Sequence, residues 1–378
     1  MSEKNVLLLG ADSCKTLPLA CSLRKKGFRV VGLFESRINY GYACRYIQER
    51  LVFRNLYDPS RSESFLRKLL ETRHFDVVIP LEDPCAEIVS RLGLPGFPSL
   101  PVFMDGYDKK RLMRLCEKMG YPHPRTYFPE DGLPDELPFP ILIKPDITSG
   151  ARGMVVVHDR SELERVSAGT ADRFGSFHLQ EYIRPGGKQI EVQLFVDEEG
   201  NLVQSSVIEK YRWYPVKGGS SCCNVSTSYP ILVEVCHRIL KDLHWVGFAD
   251  FDTIEDPETG ALLVLELNPR LPACIKTAFA AGVDWGDVLA AEYLHLPHPG
   301  YQEKGGEWLR HLGFEILWFL KSSERFRTKP SWFRFWGKHI HYQDMGTGFD
   351  PLPWFTGTLS NFFKILRPSF RRQKSGMN

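Results

Sequence analysis

The chain has 378 residues, 43% of them hydrophobic and 25% charged, which is the composition of a folded protein with two or three domains and not of a disordered one. Its formal net charge is only +2. A surface built to track phosphates along a nucleic acid would leave a larger basic excess, so nucleic acid is not expected as the main partner.

Residues 5–10, NVLLLG, form a short continuous apolar strand, and SCKTLPLACSLRKKG after it has helical spacing and ends on Gly27. The strand FRVVGLF, the helix FLRKLLETRH and the strand FDVVIPLED follow. This order predicts a parallel sheet flanked by helices, Rossmann-like in outline, over about the first hundred residues. The first turn, GADSCK, has one glycine where a dinucleotide turn would use three, so pyrophosphate binding there is not expected. Glu82 and Asp83 follow the last strand, where they either face a ligand crevice or cap the next helix.

The proline- and glycine-rich passage GLPGFPSLPVFMDG, residues 93–106, marks a boundary. DKKRLMRLCEKMGYPHP then reads as an amphipathic helix stopped by glycine and proline. FPILIKP (139–145), the loop DITSGARG (146–153) and MVVVHD predict a hairpin with Lys144 at its first strand's end. FHLQEYI (177–183) is strand-like, and two further hairpins turn at DEEGN and DPETG. The middle of the chain is therefore antiparallel, unlike its beginning. After about residue 300 come Trp308, Trp318, Trp332, Trp336 and Trp354 and a basic end, FFKILRPSFRRQK.

Nine cysteines, an odd number with no CxxC pair, predict reduced thiols in a cytoplasmic protein. The apolar run at the N-terminus is too short for a signal-peptide core or a membrane span.

The segment LLVLELNPRLPA, residues 262–273, carries Glu266, Asn268 and Arg270 at every second position of an apolar run. Asp252 lies fourteen positions before Glu266, across a short turn. Two carboxylates facing one side of a sheet repel unless they share a proton or a metal. With an amide oxygen beside them they suit Mg²⁺ that is also held by phosphates, and Arg270 could clamp a carboxylate or an acyl phosphate. A salt-bridged outer face is the ordinary alternative. Lys144 before a two-glycine loop favours the phosphate reading, because an ammonium and bare backbone amides reach a phosphate there.

Taken in order, Lys109 in YDKKRLM, Lys144 in ILIKP, TSGARGM, LQEYI, KQIEVQ and Asp252 followed by Glu266-Leu-Asn268-Pro-Arg270 resemble the ATP-grasp superfamily. The resemblance is to its carbamoyl-phosphate-synthase-like and biotin-carboxylase-like branch and covers about residues 100–295. It implies a pre-ATP-grasp Rossmann-like domain at 1–100, an ATP-grasp domain at 101–298 with a flap subdomain at about 120–185, and a C-terminal extension at 299–378.

The resemblance further implies that Lys109 and Lys144 hold ATP phosphates and that Ser149, Gly150 and Gly153 belong to the flap over them. Glu181, Tyr182 and Ile183 match the adenine-reading hinge, and Gln189 or Glu191 falls at the ribose. Asp252, Glu266 and Asn268 match ligands of one or two Mg²⁺ ions, for which Mn²⁺ can substitute, and Arg270 matches the arginine that steadies the acyl phosphate. Asp252 stands where many relatives carry Glu or Gln. EKYRWYPVKGGSSC, residues 209–222, is similar to a signature of uncharacterised ATP-grasp ligases. There Arg212, Lys217, Gly218 and Gly219 would bind a carboxylate substrate.

The implied activity is ATP-dependent joining of a carboxylate to an amine through an acyl phosphate, with small-molecule partners and an oligomeric state, monomer or homodimer, left open. The alternatives are a bicarbonate-using enzyme of the carboxylase or carbamoyl-phosphate type, and a nucleotide-binding protein without turnover that meets a membrane through its C-terminal segment.

Overall fold

The structure, a computed structural model, describes residues 3–148, 150–216, 219–348 and 350–366, with side chains to 363. The first hundred residues hold β1 (Asn5–Leu9), α1 (Thr16–Lys25), β2 (Arg29–Phe34), β3 (Glu49–Val52), α2 (Pro59–Thr72), β4 (Val77–Pro80) and α3 (Asp83–Arg91). The strands pair in parallel in the order β3-β2-β1-β4. Val6 and Leu8 point into one core with α1, and Leu7 and Leu9 into another under α2 and α3. Burial on both faces explains why β1 reads as an unbroken apolar run. Each such leucine contributes roughly 1.5–3 kcal/mol by leaving water.

Two elements here escape the sequence reading. The strand β3 is a half-buried edge, and its Glu-Arg-Leu-Val has too little apolar character to announce itself. The passage read as a boundary contains the helix α4 (Leu100–Tyr107), because Phe103 buries against Trp245.

The helix α5 (Lys109–Met119) is capped by Asp108, whose carboxylate accepts from Arg111 N at 3.2 Å, and ends at Gly120 with φ 74°. A four-stranded antiparallel sheet follows, in the order β5 (Thr126–Tyr127), β8 (Phe177–Glu181), β6 (Ile141–Pro145), β7 (Val155–Val157), with α6 (Arg160–Phe174) packed on it. The β6–β7 hairpin is the expected one.

The largest sheet has seven strands: β13 (Leu262–Asn268), β12 (Gly247–Glu255), β9 (Gln189–Val196), β10 (Leu202–Tyr214), β11 (Ser220–Thr227), β14 (Trp308–Arg310) and β15 (Ile340–Tyr342). The helix α7 (Pro230–Asp242) covers one face, and α8 (Lys276–Ala280) and α9 (Trp285–Tyr293) follow β13. Trp285 of α9 is fully buried in the same core as Val6 and Leu8. The aromatic last quarter is thus tied in by β14 and β15, which extend this sheet, and adds α10 (Leu312–Lys321) and α11 (Leu352–Leu366). Among the described residues no helix is long and apolar enough to cross a membrane, and all nine cysteines are buried as free thiols.

Candidate functional site

The β12–β13 hairpin sets Asp252 directly opposite Glu266, and Asp250 opposite Asn268. Cross-strand neighbours in that relation have Cβ atoms about 5 Å apart, so the alternation of both strands places three carboxyls and an amide on one face. A neighbouring strand adds another acid, since Glu191 of β9 is in register with Asp252 on its other side.

Cations from other elements meet this face. Lys109, the first residue of α5, lies 3.4 Å from Glu266 and donates to Thr148 O in the loop that follows β6. Lys144, the fourth residue of β6, donates to Leu265 O at 3.1 Å. Burial, countered in part by Glu266, lowers its pKa to about 8. Arg270 leaves β13 and its Nε donates to Asp83 Oδ1 at 2.8 Å.

Lys210 of β10, which sequence reasoning passed over, pairs with Glu191 at 2.7 Å and also with Asp252. Burial opposes its charge, but Asp252 and Glu191 outweigh burial and raise its pKa well above the ordinary value. The same pairing holds Asp252 below the usual range although burial pushes it up. Asp250 has no cation so close: burial, then repulsion from Glu191 and Asp252, raises it well above the usual range, and its Oδ1 has no hydrogen-bond partner. The Asp-Phe-Asp alternation at 250–252 was the signal for Asp250. Nothing in the local sequence separates Lys210 from a solvated lysine.

Lys144, Lys210, Arg270, Asn268 and the acids of β9, β12 and β13 line a cleft of about 300 Å³ between the two antiparallel sheets, and Lys109 reaches Glu266 at its edge. Gly150 of the β6–β7 loop, Glu181, Tyr182 and Ile183 after β8, Gln189, and Gly219 at the start of β11 line it as well. Gly153 has φ 76°, and a Cβ there would meet the Phe174 ring at 2.5 Å, so the loop needs glycine at that position. Glu191 is fixed by Lys210, Gln193 and Cys274 beside the acids, and Gln189, at the start of β9, lines the same cleft.

One expected substrate group is elsewhere. Arg212 is buried under α10, where its Nε donates to Glu315 Oε1 at 2.6 Å and its Nη1 to Pro330 O at 2.6 Å. Glu315, wholly buried, also accepts from Arg310 Nε at 2.9 Å. Side chains alternate along β10, so Arg212 would share a face with Lys210, but register shifts on both sides of it, against β11, break the pattern. Arg212 therefore serves structure and not substrate. Ser149, Lys217 and Gly218 lie outside the described residues.

The donor set fits a hard divalent cation in part. Among the described residues no three of His, Cys, Asp and Glu converge as a self-sufficient metal cage. Two opposed carboxylates with an adjacent amide oxygen suit Mg²⁺, which is commonly held by one or two carboxylates together with phosphates and water. Asn268 donates its Nδ2 to Asp252 Oδ2 at 3.2 Å, and its Oδ1 accepts from Arg270 Nη2 at 3.5 Å, a long contact that a cation would replace.

Residues 132–284 match the family model described as the carbamoyl-phosphate synthase L chain, ATP binding domain. The C-terminal section of the carbamoyl phosphate synthase large chain of Methanopyrus kandleri is 26% identical over 176 residues, which are 43% of this chain and 32% of that one. This chain therefore spans about a third of the length of that curated relative. Among solved structures, the biotin carboxylase domain of the 2-oxoglutarate carboxylase of Hydrogenobacter thermophilus, in complex with MgADP, ADP and bicarbonate, superposes with a TM-score of 0.64. Identity is 17% over 81% of this chain and 73% of that one. An L-amino acid ligase from Bacillus licheniformis gives 0.59 at 18% identity over 77% and 74%. Residues 132–284 are thus similar to a carbamoyl-phosphate synthase ATP-binding domain, and the fold is similar to that of the biotin carboxylase domain and of the amino acid ligase.

Proposed function

We propose that this chain is an ATP- and Mg²⁺-dependent ligase that activates a carboxylate as an acyl phosphate for attack by an amine, releasing ADP and phosphate. The observation that carries the proposal is the direct opposition of Asp252 and Glu266 on a cleft face that also receives Lys109 and Lys144. The superposition on a structure bound to MgADP, and on an amino acid ligase, supports it. In this reading 1–100 is a pre-ATP-grasp Rossmann-like domain, 101–298 the ATP-grasp domain with its flap at about 120–185, and 299–378 an extension.

Lys109 and Lys144 offset phosphate charge, and Gly150 and Gly153 belong to the flap. Tyr182 and Ile183 present backbone to adenine beside Glu181, and Gln189 reaches the ribose. Asp252, Glu266 and Asn268 supply the oxygens for the metal. Mg²⁺, when bound, neutralises developing phosphate charge as a Lewis acid. Arg270, held by Asp83, steadies the acyl phosphate. Catalysis is then positioning and electrostatics, with no side-chain nucleophile.

The test is an ADP-release screen of amino acids and other carboxylates, each with and without an amine and with and without bicarbonate. Release that needs an acid and an amine supports the ligase. Release driven by bicarbonate alone favours a carboxylase-type reaction, and release that no acid stimulates contradicts both.

A membrane contact is a second reading. Leu352, Phe355, Leu359 and Phe362 make an exposed apolar stripe on α11, 56, 59, 47 and 56% accessible. Liposome flotation of the full chain and of Phe355→Lys/Phe362→Lys tests it: equal binding of the two to anionic vesicles, or none by either, counts against it.

A further inference from the structure

A second and larger cleft, of about 1370 Å³, opens between the parallel sheet, α10 and α11. It meets the nucleotide cleft, because Ser220, Ser221 and Ala273 line both. A molecule lying in it can present one end to the phosphate-transfer site.

The charged side chains of this cleft differ in how they are held. Its acids are already engaged. Asp12 accepts from Glu35 N at 3.0 Å, Ser36 N at 3.3 Å, Asn39 Nδ2 at 2.7 Å and Tyr57 OH at 2.7 Å. Glu82 pairs with buried Lys15 at 3.2 Å, and Glu35 also has a partner. Arg37, in the loop after β2, and Arg54, just past β3, line the same cleft. Among the described residues neither makes a hydrogen bond or an ion pair. Two guanidiniums are therefore the charged groups of this cleft left without a partner among the described residues, and their planar forks suit carboxylate or phosphate oxygens.

The walls are held in place. Asp12 organises the loop that carries Arg37, and α11 pins the far end of that loop: Thr356 Oγ1 donates to Asn39 O at 2.9 Å and Asn361 Nδ2 to Tyr40 OH at 3.1 Å. Phe314, Phe363 and Ile38 add apolar surface to the lining. The volume exceeds the roughly 300–1,000 Å³ of ordinary small-molecule sites, which is more than a free amino acid fills.

We propose that this cleft takes one of the two ligase substrates, an extended molecule with an apolar middle and a terminal oxyanion held by Arg37 and Arg54, with α11 as part of its wall. The proposal rests on the ligase reading and names the substrate class of that reaction.

The test fills the nucleotide cleft with ADP and excess Mg²⁺, then titrates phenyl phosphate and, separately, tricarballylate onto the full chain by ligand-observed NMR. Native protein is expected to bind at least one probe, Arg37→Ala/Arg54→Ala at least tenfold more weakly, and Arg37→Glu/Arg54→Glu not at all, with ADP affinity unchanged in all three. Binding of phenyl phosphate alone identifies a phosphate ester, and of tricarballylate alone a carboxylate. Absence of binding by both probes, or equal binding by native and double-alanine chains, overturns the proposal. Failure of the native chain to bind ADP counts instead against the ligase reading, and the comparison of native and variant chains is then made without nucleotide.

Discussion

Arg270 and Asp83 are 187 residues apart in sequence, yet the guanidinium Nε donates to the carboxylate at 2.8 Å with both side chains largely buried. The contact joins the start of α3, just after the parallel sheet's last strand, to the end of β13. It answers the ambiguity of Asp83, which starts α3 and faces the cleft arginine at once. Asp83→Ala should lower carboxylate-dependent turnover at least tenfold, leave ADP affinity within twofold and cost on the order of 3 kcal/mol of stability. Steady-state kinetics, ADP calorimetry and thermal melting check the three parts.

Lys210 is the cation that holds the Asp252 carboxyl below its usual range. In Lys210→Met the folded-state pKa of Asp252 should rise. A carboxyl raised in the folded state weakens folding as pH climbs above its unfolded value near 4. The melting-temperature deficit of the variant should thus grow from pH 5 to pH 8. A constant deficit would mean that the lysine acts through packing alone.

Lys144 has its pKa lowered to about 8, chiefly by burial. Below pH 8 the ammonium is charged and attracts phosphates. Above it, nucleotide binding must be accompanied by proton uptake, so ADP affinity should fall as pH rises from 8 to 9.5, by up to tenfold per unit. Lys144→Arg, with a guanidinium that stays charged, should flatten that slope. Calorimetry in buffers of different ionisation enthalpy would detect the proton directly.

Glu315 separates a structural role for Arg212 from a substrate role. It accepts from both Arg212 and Arg310 in a site with no solvent access, so Glu315→Gln leaves two buried guanidiniums short of a counter-charge. Stability should drop by about 3–5 kcal/mol while ADP affinity of the folded fraction is unchanged. Denaturant titration and calorimetry measure the two.

Several parts of this site were legible because they are local. The two-residue alternation of Glu266 and Asn268, the short turn back to Asp252 and the lysine ahead of a glycine loop are patterns of neighbouring residues, and the hairpins that carry them formed as read. The parallel first sheet was legible for the same reason, since its strands are buried on both faces. Long-range pairing was not. Lys210 is distinguished only by acids on two other strands, and Arg212 left the expected cleft because register shifts and Glu315 of a later helix claim it. The strands β14 and β15 have three residues each and join the sheet only through β11, which itself was not read as a strand.

In the proposed site the opposed Asp252 and Glu266 hold the metal of a bound nucleotide. The decisive measurement is the affinity of the full chain for ADP, taken calorimetrically with and without Mg²⁺ in native protein and in Glu266→Ala. The native chain should bind at least tenfold more tightly with Mg²⁺, and the variant should show no Mg²⁺ effect. An affinity in the native chain that ignores Mg²⁺, or a Mg²⁺ effect that survives Glu266→Ala, would contradict the assignment.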